Sequence, residues 1–358
     1  MKTALICPDG ASDWRIPALD DQTPLEFARM PATDALARAG KVGLARNVPK
    51  DMPPGSDVAC MSLLGYDPAR YHTGRAPLEA PALGLDLLSG QTAVRCNLVT
   101  VTPDGMMADF TAGHITTDEA RELMDALNAA VGPGAPIRFY PGVSYRNLAI
   151  VGHTGFDANT TPPHDITGEP VRDRLPFGGG ATELLEWMAL SKIVFRDHPV
   201  TKRRIAAGKP APTQVWLWGQ GTRPDLPLFT DKYQKTGAMI SAVALLQSIG
   251  IYAGMELIRV PGATGYFDTN YSGKAAAAID AFDRCDFVFI HIEAPDEMGH
   301  EGDYRRKIKA LEMIDEQIIA PVADALRTHG DYRLLISPDH PTPCELKTHT
   351  REPVPFLI

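Results

Sequence analysis

Short apolar runs, each bounded by Gly, Pro or an acidic residue, alternate along the chain with longer stretches whose apolar positions recur every three or four residues. The first kind reads as buried strands and the second as amphipathic helices. Thr3 to Ile6 is the first strand. Thr23 to Ala39 is a predicted helix with Thr23 as N-cap and Gly40 as its stop, and Lys41 to Arg46 is a short strand. Val58 to Leu64 follows Pro53-Pro54-Gly55-Ser56-Asp57, so a Gly-Ser step opens that segment and gathers a hydroxyl and backbone N–H groups at one spot. After Pro212 the rhythm predicts strands at Val215–Trp218, Glu256–Val260, Phe287–Ile292 and Tyr332–Ile336. Helices are predicted at Ala238–Ile249, Gly273–Ala281 and Asp303–Thr328. Such alternation implies an α/β fold with a mostly parallel sheet covered by helices on both faces.

Between about Gln91 and Phe195 the texture changes. Ala93–Val101 and Ile137–Val151 read as antiparallel strands flanking a helix at Thr117–Val131, and Thr154 to Gly180 is rich in Thr, Pro and Gly. A mixture without βαβ order predicts an inserted α+β lid at 91–195, with 1–90 and 196–358 forming one discontinuous core.

Strand ends concentrate the chemistry. Asp9 follows the first strand, Asp296 and His300 follow Phe287–Ile292 four residues apart, and Asp339-His340 follows Tyr332–Ile336, with His349 nine residues further on. Parallel neighbouring strands deliver such residues to one edge of a sheet, where open α/β sheets bind ligands. Two residues four apart on a helix share a face, so Asp296 and His300 can reach one cation. With Ser56 the donors are Asp9, Asp296, His300, Asp339, His340 and His349, all oxygen or imidazole, which suits manganese first and zinc or magnesium next. Seven donors exceed what one tetrahedral ion takes, so two divalent ions are expected and no organic cofactor. A metal pair can hold both the entering and leaving oxygens of a phosphoryl displacement, and coordination makes a serine hydroxyl nucleophilic.

Composition narrows the partners. With 44% hydrophobic and 22% charged residues the chain has the make-up of an ordinary globular protein, and a formal net charge of -9 without a long basic run disfavours nucleic acid and anionic membrane. Five scattered cysteines without CxxC spacing fit a reducing cytoplasm, where the protein is expected; homo-oligomer formation is left open. The closing run Pro353 to Ile358 reads as a strand without a turn after it, so the chain is expected to continue.

Asp9-Gly10, the stretch Pro54 to Pro68, Thr73-Gly-Arg75-Ala-Pro-Leu-Glu79, Val260 to Gly265, the Asp296/His300 pair and Asp339-His340 with His349 together resemble the archaeal-type cofactor-independent phosphoglycerate mutases of the alkaline phosphatase superfamily. The resemblance implies a phosphotransferase that passes through phospho-Ser56 and moves phosphate within a small phosphorylated acid. It places one metal on Asp9, Ser56, Asp339 and His340 and the other on Asp296, His300 and His349. Arg146 and Lys274 are catalytic candidates, with Arg75, His114, His164 and Asp165 as substrate contacts. The chain has Trp218-Gly-Gln-Gly221 and His114 where the family pattern carries arginines. A phosphatase-type hydrolase on the same metals, or a homoserine-kinase-like phosphotransferase, is the alternative.

Overall fold

The computed structural model describes residues 1–358. Its strands are β1 (Lys2–Pro8), β2 (Val42–Ala45), β3 (Thr92–Val101), β4 (Met107–Asp109), β5 (Ile137–Val143), β6 (Arg146–Val151), β7 (Gln214–Thr222), β8 (Gly237–Ile240), β9 (Glu256–Ile258), β10 (Phe287–Ile292), β11 (Tyr332–Ile336) and β12 (Val354–Leu357). They fall in two compact units, Met1–His72 with Asp225–Ile358, and Thr73–Pro224.

The first unit holds a seven-stranded sheet in the order β2-β12-β11-β1-β10-β8-β9. Strands β11, β1, β10, β8 and β9 run parallel, and β12 and β2 add an antiparallel edge. The apolar runs Ala-Leu-Ile-Cys of β1 and Val-Phe-Ile-His-Ile of β10 are buried without alternation, because a parallel sheet is covered on both faces. Ala4, Ile6, Val288 and Ile290 pack on one face against the helices Tyr271–Ala281, Tyr304–Ile314 and Ala320–Arg327, the last two joined by a π-helical turn at Asp315–Ile319. Each large side chain so buried stabilises the fold by ~1.5–3 kcal/mol. The opposite face carries the helix Ala244–Tyr252, which approaches β8 so closely that a Cβ on Gly250 would sit 2.9 Å from the Met239 sulfur.

The second unit is an antiparallel sheet in which β3 pairs with β4, β6 and β7, and β5 pairs with β6. The helices Thr117–Val131 and Ala181–Arg196 contribute to its core with Leu123, Leu127, Leu184 and Trp187.

Four expectations change. The strand at Val215–Trp218 lengthens to β7 and joins the second sheet, and Arg75 to Leu78 belongs with that unit too, so it spans 73–224 rather than 91–195. The predicted helix at Ala238–Ile249 is instead the strand β8, next to the sheet edge, followed by a helix from Ala244. Thr23 does cap a helix with a reciprocal Thr23–Glu26 box, but that helix stops at Phe27 and a second runs from Pro31 to Ala39. Pro31 lacks the N–H that a continuous helix would use and disfavours helical geometry at Met30. The single helix expected at Asp303–Thr328 is interrupted by the π turn. All five cysteines are free, and no helix is long and apolar enough to cross a membrane.

Candidate active site

Because β11, β1 and β10 are adjacent and parallel, Asp339, Asp9 and Asp296 emerge at one sheet edge. Gly10 makes the turn after β1 with φ +59°, and a Cβ there would lie 2.5 Å from the Asp296 carboxylate. Only glycine lets the two acidic loops approach so closely. The loop after β11 is anchored from several sides. Asn47 Nδ2 donates to the carbonyls of Pro338 and Asp339 at 3.0 and 3.1 Å, and Gly10 N donates to Asp339 Oδ1 at 3.1 Å. The buried Lys307 ammonium, 2.8 Å from Asp13 Oδ2, also donates to the Thr342 carbonyl at 2.9 Å.

Ser56 opens the helix Ser56–Leu63 behind Gly55, and its Oγ lies 3.2 Å from Asp9 Oδ2 and 3.1 Å from His340 Nε2. Asp9, Asp339 and His340, all fully buried, offer ligand atoms within 4.8 Å of one another. Asp296, His300 and His349 form a second such group. Asp296 Oδ2 is 3.2 Å from His300 Nε2, its Oδ1 is 3.4 Å from His349 Nε2, and the two imidazole nitrogens are 2.9 Å apart. His300 Nδ1 donates to the Lys347 carbonyl at 3.0 Å, which turns Nε2 toward Asp296. The structure thus brings together all seven residues singled out from the strand ends and the Gly-Ser step.

Electrostatics favour a cation at this edge. Burial, then the charges of Asp339, Glu293 and Asp296, hold the Asp9 carboxyl well above its ordinary value. Burial also pushes Glu293 up to about 8, with Asp296 adding to the rise. Buried Asp9 Oδ1 and Glu293 Oε2 have no hydrogen-bond partner. Burial would raise Asp296 too, but hydrogen bonds from His300 and His349 outweigh it and hold that carboxyl well below its usual range. The bond to Asp296 in turn lifts His300 to about 9. Oxygen and imidazole donors, clustered acids and unpartnered carboxylate oxygens fit divalent ions.

Two residues at this edge carried no role in the sequence reading. His291, within β10, is fully buried with Nε2 2.8 Å from Asp9 Oδ2 and Nδ1 3.2 Å from Ser241 Oγ. Glu293 stands one residue past β10 with Oε2 3.5 Å from His291 Nε2. A histidine inside an otherwise apolar strand was the available signal. Lys274, expected to neutralise phosphate, is fully buried and donates to the His291 carbonyl at 2.8 Å, with burial lowering it to about 8.

In the second unit Arg75, Arg95 and Arg146 all act on the His164 imidazole, which burial first and then these cations hold below its ordinary value. Arg95 was not foreseen, although a cation inside the apolar β3 run marks it. It pairs with Glu79 through Nε at 3.0 Å and Nη2 at 2.9 Å and lies 4.1 Å over the Trp218 ring. Arg146 stacks on Tyr145, and Asp165 lies beside His164 at 3.6 Å. His114 is exposed on the Asp109–Thr116 loop with φ +48°, where its backbone N–H donates to Thr111 Oγ1 at 3.0 Å.

A family model for 2,3-bisphosphoglycerate-independent phosphoglycerate mutase matches residues 37–201. The protein of that name from Methanosarcina mazei is 50% identical over 360 residues, covering 100% of this chain and 90% of its own length. The chain belongs to the 2,3-bisphosphoglycerate-independent phosphoglycerate mutase family. Among solved structures, a Pyrococcus horikoshii protein superposes with TM-score 0.81 at 30% identity, covering 99% of this chain and 86% of its own. The cofactor-independent phosphoglycerate mutase from Thermoplasma acidophilum superposes with TM-score 0.67 at 28% identity, covering 100% and 89%.

Proposed function

We propose that this chain is a metal-dependent phosphoglycerate mutase that interconverts 2- and 3-phosphoglycerate through a phosphoserine at Ser56. The observation that carries the reading is Ser56 Oγ, poised 3.1 to 3.2 Å from His340 Nε2 and Asp9 Oδ2 beside a second group of acid and imidazole donors. Asp9, Ser56, Asp339 and His340 would hold one divalent ion, and Asp296, His300 and His349 another, with manganese the first candidate. Ions bound there would lower the Ser56 hydroxyl pKa and offset phosphoryl charge.

Ser56 Oγ loses its proton, for which the Asp9 carboxylate is the near acceptor, and attacks the phosphorus of the bound ester. The bond from phosphorus to the substrate oxygen breaks as the new P–Oγ bond forms, and the freed hydroxyl takes up a proton. Transfer back to the acid's other hydroxyl regenerates Ser56 and gives the isomer. Holding the acid makes that return effectively intramolecular, an advantage that reaches about 7–11 kcal/mol in well-oriented cases. The second unit offers its own anion clamp in Arg75, Arg95 and Arg146, suited to a carboxylate because guanidinium groups bind it bidentately. Stacking on Trp218 and pairing with Glu79 keep Arg95 in a fixed pose.

Phosphorus NMR tests the assignment directly. Manganese-loaded enzyme given 3-phosphoglycerate should yield 2-phosphoglycerate with little free phosphate. Stoichiometric phosphate release without isomer would make the protein a hydrolase.

A further inference from the structure

A cleft of about 560 Å³ opens in the first unit directly beside His349, lined by Arg46, Pro54, Thr350, Arg351 and Glu352. Its position joins two chain segments that carry site residues. Pro54 lies two residues before Ser56, and Arg351 lies two residues after His349. Arg351 Nη2 donates to the Met52 carbonyl at 2.9 Å, tying the loop before Ser56 to the loop after His349. Arg46, exposed just past β2, has no carboxylate partner among the ion pairs of the chain. The carboxylate in the lining, Glu352, accepts from Trp14 Nε1 at 3.1 Å. Two arginines therefore line an open surface cleft whose wall also includes a candidate metal ligand, in a protein whose net charge is -9.

We infer that this cleft is an anion-binding site, in which Arg46 and Arg351 take the phosphate of an incoming phosphorylated acid at the margin of the metal edge. The anion class follows from the chemistry. Guanidinium forks match the oxygens of phosphate, and an exposed cationic pair beside clustered acids offsets the repulsion that an approaching trianion would meet. Arg46 and Arg351 are positioning residues in this account: they gather and orient substrate, whereas Ser56 carries the transfer. The physiological ligand, a phosphoglycerate, rests on the mutase reading; the anion site itself does not.

The test is calorimetric titration of inorganic phosphate into the manganese-loaded full chain, for the wild type, R46Q/R351Q and R46K/R351K. The wild type should bind phosphate in two classes, one of them weakened steeply by salt. R46Q/R351Q should lose that class and raise KM for 3-phosphoglycerate about tenfold, more than it lowers kcat, while the lysine pair restores part of both. Equal phosphate stoichiometry, affinity and KM in wild type and R46Q/R351Q would overturn the site. A wild type that shows the salt-sensitive class, lost in R46Q/R351Q, yet isomerises no phosphoglycerate would uphold the cleft and remove the mutase reading instead.

Discussion

His291 Nε2 and Asp9 Oδ2 stand 2.8 Å apart, both side chains fully buried, on the neighbouring strands β10 and β1 or just beyond them. Val243 N donates to Ser241 Oγ at 3.0 Å, and that hydroxyl faces His291 Nδ1 at 3.2 Å. With burial holding the imidazole neutral, down to about 3, this chain of contacts leaves the proton on Nε2. The bond occupies one oxygen of Asp9 and leaves Oδ1 for a cation.

His291→Phe keeps the volume and removes that bond. Manganese affinity should fall about 10- to 100-fold, as is typical when a partner orienting a ligand is lost, with Ser241→Ala shifting it less in the same direction. Competition with a fluorescent chelator measures this without turnover. Unchanged affinity in both variants would show that Asp9 needs no such support.

Stability of the metal-free protein should fall between about pH 6.5 and 8. His300 is raised from 6.5 to about 9, chiefly by its bond to Asp296, so its contribution is full below pH 6.5 and is lost as pH rises through 9. Glu293, raised to about 8 by burial, retains a proton that the unfolded chain has already released, so it acts in the same direction up to pH 8. Manganese should flatten the slope by replacing those protons. Thermal unfolding across this range, with and without the ion, is the measurement; a metal-free Tm that climbs with pH would contradict it.

Much of this edge was legible because its rule is local. An apolar run with an acid within three residues of its end, as at Asp9 and Asp339, fixes both the strand and the place its carboxylate emerges, and the four-residue spacing of Asp296 and His300 becomes a contact of 3.2 Å. What escaped depends on long-range pairing. The β7 residues Val215–Trp218 are as apolar as any core strand, and nothing in their periodicity says that they pair with β3 in the other sheet. His291 and Arg95 are polar residues within apolar strands, and only the neighbours, Asp9 in one case and Glu79 with Trp218 in the other, reveal why burial tolerates them. The break before Pro31 was open to local reasoning, since proline at that position outweighs a continuous helical pattern.

The central claim, transfer through Ser56, is tested most directly by acid-quenching the manganese-loaded enzyme during turnover of 3-phosphoglycerate and sequencing its phosphopeptides. The phosphate should be on Ser56, and Ser56→Ala, which deletes a single oxygen from a partly exposed helix start, should retain fold and metal binding while losing at least about 10³-fold in rate. A wild type that isomerises substrate with no phosphate on Ser56, or a Ser56→Ala variant that turns over near the wild-type rate, would contradict it.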